Sequence, residues 1–145
     1  MDDLLRNLAD ESAIRDLAVR YCWALDSLDR TAFEQLFTTD PTASLGGGLQ
    51  EGLDAIWERI HRTLAPLSLS QHIVGSHLVQ LSDDTASHRC YVHAQHVRPG
   101  LPDGDQFVVA GSYLDDCVRT PDGWRIRHRA LKVLWTSGNP AVIAP

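Results

Sequence analysis

No stretch of this chain approaches the roughly eighteen consecutive apolar residues that a membrane span requires. Met1-Asp2-Asp3 also lacks the basic start and apolar run of a signal peptide. The three cysteines, Cys22, Cys90 and Cys117, are odd in number and show no CxxC spacing, which argues against a disulfide framework or a cysteine-rich zinc site. They read as reduced core thiols of a cytoplasmic protein. A basic stripe is missing too: 13 Lys and Arg face 19 Asp and Glu, a formal net charge of -6. Phosphate-backbone binding needs the opposite balance, so neither nucleic acid nor a membrane is expected as a partner.

Also absent are a GxSxG elbow, a GxxxxGK[ST] loop and a GxGxxG after a strand. Gly46-Gly47-Gly48 is a glycine run with no lysine and no helix dipole behind it. Phosphate and dinucleotide cofactors thereby lose their sequence support. On regular strands, His93 and His96 leave opposite faces, as do His72 and His77, because side chains alternate. No local pair chelates and no cysteine pair assists, so the expectation is no metal and no organic cofactor.

What is present is one domain's worth of core: 145 residues, 43% of them hydrophobic, with a single-domain reading over 1–145. Ile14, Leu17, Ala18, Tyr21, Ala24 and Leu25 recur at three- and four-residue steps and predict a helix over 12–25, preceded by a shorter helical piece at 4–8. Thr31-Ala32-Phe33-Glu34 has capping-box spacing, so a second short helix is expected to begin near Thr31. A short strand and turn fit 41–52, and a third helix fits 53–64. The rhythm then changes to period two in four runs, 68–81, 86–98, 106–119 and 124–136, with turn residues between them and an extended tail over 137–145. The pattern is α+β: a cone-shaped α+β barrel with three N-terminal helices packed in a curved, mainly antiparallel sheet, its interior open to a small ligand.

Most acids here have ordinary turn and cap explanations. Asp26 fits them less well, since it falls in the last turn of the first helix, where the negative end of the dipole disfavours a carboxylate. Strand parity puts His72 with Val74, Ser76 and Leu78 on one apolar face, and His88, Cys90, Val92, Ala94 and His96 on another. His72 and His96 thus face one pocket. Taken alone, each is more often a hydrogen-bonded core histidine than a catalyst, and Asp26 is equally readable as a turn former. Tyr113, Trp57, Val74, Val92, Phe107 and Trp135 are the candidate pocket wall. Tyr91, His93 and Gln95 with Arg125, Arg127 and Arg129 are expected to make the outer sheet face polar.

Ile14-Arg15-Asp16-Leu17, Arg20-Tyr21 with Asp26, Gln71-His72-Ile73-Val74-Gly75, Gly111-Ser112-Tyr113 and Gly123-Trp124-Arg125-Ile126 resemble the SnoaL-like group of the nuclear-transport-factor-like superfamily, from Ile14 to Gly138. That group includes scytalone dehydratase, bile-acid dehydratases and a hexachlorocyclohexane dehydrochlorinase. The resemblance implies that Asp26 and His72 occupy the positions of an Asp-His dyad, that Tyr21 matches a catalytic tyrosine, and that His96 matches a second histidine. It implies a cofactor-independent lyase acting by β-elimination on a small cyclic or polycyclic molecule, in a homo-dimer or homo-trimer. Tyr113 stands where scytalone dehydratase-like members use asparagine, and Thr42 to Gly46 where they use a tyrosine, so scytalone is not the expected substrate. A ketosteroid-isomerase-like isomerase, a cyclase, or a non-catalytic binding or oligomerisation domain remain alternatives on the same residues.

Overall fold

The computed structural model describes residues 2–144. Its first helix, α1 (Asp3–Asp26), is one continuous element rather than two, because Ala9-Asp10-Glu11 contains neither glycine nor proline to interrupt it. Ile14, Leu17, Ala18, Tyr21, Ala24 and Leu25 form its buried stripe. The next helix, α2 (Arg30–Glu34), is capped by Asp29, which accepts from the Ala32 N–H at 3.0 Å, so Asp29 and not Thr31 opens it. The third, α3 (Leu53–Leu64), buries Ile56, Trp57, Ile60 and Leu64.

Six strands form one sheet: β1 (Phe37–Ser44), β2 (Gln50–Glu51), β3 (Leu69–Ser82), β4 (Thr85–Val97), β5 (Gln106–Thr120) and β6 (Gly123–Gly138), in the order β2-β1-β6-β5-β4-β3. The last four are the antiparallel meander expected from the period-two runs. β1 lies parallel to β6, a long-range pairing that no local pattern announces. The three helices pack against this curved, mostly antiparallel sheet, and the buried side chains of helices and sheet join in one cluster.

Irregularities in three places decide which side chains enter the cone. Ser76 on β3, with φ +54°, lies where the register shifts between Gly75 and Leu78. On β6, Arg127 and Leu134 are the extra residues of two further shifts. Each inserted residue reverses the alternation beyond it. Leu78 therefore leaves the face of His72 and is 45% exposed, whereas His77 turns inward to meet buried His88 at 3.0 Å. Arg129, expected outside, is wholly buried. Trp135, beyond both β6 shifts, keeps the outward side that uninterrupted alternation gives it and is 52% exposed, edge-on to His93. Gly111 is required where β5 passes the second β6 bulge, since a Cβ there would stand 2.2 Å from the Lys132 carbonyl oxygen. The outer face consequently exposes Ile73, Tyr91, Leu134 and Trp135 and is less polar than expected.

The tail is not extended. Asn139 caps a 3-10 turn at Pro140–Val142 by accepting from the Ala141 N–H, and its amide donates to the Pro102 and Gly104 carbonyls. Val142 is thereby buried, and Ile143 reaches the cavity described next.

Candidate active site

Asp26 ends α1 against β3. Its Oδ1 lies 2.6 Å from His72 Nδ1 and accepts from the Ser70 hydroxyl at 3.0 Å, while Oδ2 accepts from the His72 backbone N–H at 2.9 Å. Three donors thus offset the dipole penalty that made this acid conspicuous. Burial pushes the Asp26 carboxyl up, but the His72 ring and backbone and the Ser70 hydroxyl outweigh it and hold the group below the usual carboxylate range. A carboxylate only accepts, so His72 Nδ1 carries hydrogen, and in the neutral ring Nε2 holds the lone pair. The His72 side chain is 6% exposed and lines a cavity of about 110 Å³.

Tyr21, Val92, His96 and Tyr113 line the same cavity. His96 Nδ1 lies 3.0 Å from the Phe107 carbonyl, which accepts, so its Nε2 is also a lone pair when the ring is neutral. The two imidazoles stand edge to face with centroids 6.0 Å apart. Burial depresses the His96 pKa, with partial compensation from the Phe107 carbonyl. Burial also raises the Tyr21 hydroxyl to about 12 and lifts that of Tyr113 well above its ordinary value, so both remain protonated donors.

Four expected wall residues lie elsewhere. Trp57 packs on Phe33, with ring centroids 5.1 Å apart, because its side of α3 meets α2. The Phe107 side chain is buried but not against the cavity; only its carbonyl serves the site. Val74 packs on the core beside the Ser76 bulge and does not reach the cavity, and Trp135 is outside. Their places are taken by residues that sequence reasoning missed: Arg59, Thr63 and Leu64 of α3, Leu45 before the β1–β2 turn, Val109, Leu131 and Ile143. The one-turn spacing of Arg59 and Thr63 gave a signal, whereas the folded tail that delivers Ile143 gave none.

Below the cavity lies a buried polar chain. His88 Nδ1 is 2.7 Å from Asp115 Oδ2, and Asp115 accepts from Arg129 Nε at 2.7 Å and Nη2 at 2.8 Å. The Arg129 guanidinium is sandwiched between the rings of Tyr21 and Tyr113, 4.2 and 4.1 Å from their centroids. Cross-strand pairing of His88 with Asp115 made this acid legible in principle, while the Arg127 bulge hid Arg129. At the outer end, His77, His88 and Cys90 place one donor atom each within 4.8 Å of one another. The bulge at Ser76 therefore overturns the parity argument that kept His77 apart. His88 is already engaged by Asp115 and His77, and burial pushes the Cys90 thiol up to about 11, away from the thiolate that metals bind.

These groups predict two acid-sensitive ranges. The His77 and His96 pKa values are lowered chiefly by burial, so the unfolded chain takes up protons that the folded protein resists. Stability should fall as pH drops below about 6.5, and again below about 4, where Asp26 and Asp115 lose the charge their partners stabilise. Melting temperature against pH checks this, and His96→Gln should flatten the first decline. A profile level from pH 7 to 5 would contradict it.

The cone is a fold that this chain shares with nuclear-transport-factor-like proteins. The SnoaL-like domain family matches residues 6–130, and the chain belongs to that family. It is 31% identical over 140 residues to terrestric acid biosynthesis cluster protein E of Penicillium crustosum, covering 93% of this chain and 90% of that protein. A Novosphingobium aromaticivorans structure, provisionally named an aromatic ring hydroxylase, shares 30% identity at TM-score 0.83, covering 94% of this chain and 97% of the other. A hexachlorocyclohexane dehydrochlorinase shares the fold at TM-score 0.82 and 18% identity, with 97% of each chain covered. Among the described residues, no helix is long and apolar enough to cross a membrane.

Proposed function

We propose that the protein is a cofactor-independent lyase that catalyses β-elimination, most simply dehydration, on a small cyclic substrate. The observation that carries this reading is the Asp26–His72 contact of 2.6 Å at the wall of an apolar cavity. His72 Nε2 removes the proton next to an activating carbonyl, and Asp26 stabilises the imidazolium that results, while His96 has no such acid and its proton affinity is depressed. His72 is therefore the base, and neutral His96 accepts the substrate's hydroxyl hydrogen and orients it. Tyr21 gives its proton to the departing hydroxide, which leaves as water, and buried Arg129 stabilises the tyrosinate. Return of the imidazolium proton to Tyr21 resets the site.

The names of two relatives bear on this reading. One is named for a biosynthetic cluster and one for an elimination of hydrogen chloride. A cavity of about 110 Å³ leaves no room for fused rings and sets a single small ring as the upper bound. Incubation with monocyclic β-hydroxyketones and product analysis by mass tests the reaction, with loss of water as the expected outcome. Unchanged mass would replace elimination with isomerisation or cyclisation. Exhaustive chelation should leave the rate unchanged; loss restored by zinc would direct attention to His77, His88 and Cys90.

A further inference from the structure

The cavity wall carries a permanent positive charge that the elimination chemistry does not use. Arg59 lines it from α3, one turn from Thr63. Its guanidinium is held by three hydrogen bonds: Nε to the Gly46 carbonyl at 3.2 Å, Nη2 to the Leu45 carbonyl at 3.2 Å, and Nη1 to Thr63 Oγ1 at 2.6 Å. All three acceptors are neutral. Among the described residues Arg59 forms no ion pair, and the cavity wall contains no carboxylate, Asp26 standing behind His72.

A guanidinium has five N–H donors, and three are committed here. The remaining two sit one on each terminal nitrogen, as many donors as the two oxygens of a carboxylate can engage. The three neutral contacts fix the guanidinium before a ligand arrives, so little side-chain entropy is lost on binding. Apolar Leu45, Ile60, Leu64 and Ile143 around it lower the local dielectric and strengthen the attraction. The chain's formal charge of -6 opposes an approaching anion at long range, which makes a local cation the means of holding one.

We propose that Arg59, its guanidinium positioned by Thr63, forms the anchor for an anionic oxygen group, so that the substrates are single-ring organic carboxylates held by the carboxylate at this end of the cavity and reacting at the other. The substrate part of this inference rests on the cavity being the catalytic site proposed above; anion binding does not. The carboxylate is a handle and not the group that acidifies the reacting carbon, because an anion beside that carbon would oppose its deprotonation.

The probes are benzoate and benzamide, which share a shape and differ in charge, titrated into the whole protein by calorimetry. Benzoate should bind roughly tenfold or more tightly than benzamide, as expected for a charge-assisted bidentate contact, with the margin shrinking as salt rises. Arg59→Met should abolish the preference, Arg59→Lys should retain part of it, and Thr63→Val should weaken it. Because Arg59 also ties the Leu45–Gly46 segment to α3, a lowered melting temperature in Arg59→Met shifts the decision to Thr63→Val and to the salt series in the unaltered protein. His72→Ala should keep the preference intact, which separates this inference from the catalytic one. Equal affinity for the two probes, no binding of either at millimolar concentration, or a preference unchanged in Arg59→Met would overturn it.

Discussion

His72→Ala should lower turnover by at least about 10²- to 10⁴-fold, the range typical of general base catalysis, while ligand affinity and melting temperature change little. The expectation rests on the one-sided use of the ring: Nδ1 is tied to Asp26, and only Nε2 is left for the cavity that the residue lines. Removing the ring leaves Asp26 two of its donors, the Ser70 hydroxyl and the backbone N–H of residue 72, and the carboxylate is 21% exposed, so the structural cost is limited. Asp26→Asn sharpens the test. It keeps the shape but lets His72 place its hydrogen on Nε2, the wrong nitrogen for a base, and it removes the charge that stabilises the imidazolium. A dyad that is only a buried polar tie behaves oppositely. In that case both variants keep near-normal turnover in the folded fraction whatever their melting temperature, an outcome that would sink the catalytic assignment.

The largest effect on stability is expected at Arg129. Replacing it with Met leaves Asp115, itself wholly buried, without the cation that opposes its desolvation, and breaking such a pair costs about 3–5 kcal/mol. Burial pushes the Asp115 carboxyl up and Arg129 pulls it below its ordinary range, so without Arg129 the burial effect is left largely unopposed and the protonated acid is favoured. The Arg129 Nη1 group has no hydrogen-bond partner, and the faces of Tyr21 and Tyr113 take that role. Urea unfolding midpoints measure the loss. The double variant Asp115→Asn with Arg129→Met should recover a substantial part of it, because no buried charge then stands alone. An Arg129→Met variant as stable as the parent would show that the pair contributes no more than a surface bridge.

The structure also shows how far parity can be carried. β4 contains no irregularity up to the loop, and His88, Cys90, Val92, Ala94 and His96 all face inward as alternation requires. β3 and β6 each break the count, and His77 and Arg129 change sides there, whereas the two shifts of β6 cancel at Trp135. A bulge is one inserted residue stabilised by contacts with a partner strand far away in sequence, so no local pattern records it. The misassigned wall residues have related causes. Trp57 was placed by size and apolarity, which equally suit the α2–α3 contact it makes. Asp26, by contrast, was noticeable from position alone, since a carboxylate at a helix C-terminus needs donors from elsewhere.

Composition and period, taken by themselves, determined three helices, a four-strand meander, the apolar stripe of α1 and the absence of a phosphate loop. These are properties of neighbours within a few residues, where side-chain spacing and backbone preference act directly. Tertiary structure alone decided the parallel union of β1 with β6, the burial of Arg129 between two tyrosines, the return of the tail to the cavity and the position of Arg59 on its wall. Each depends on a contact between residues distant in the chain. The free energy of such a contact comes from a partner's burial, charge or hydrogen bond, and that partner is chosen only when the whole sheet closes around the helices.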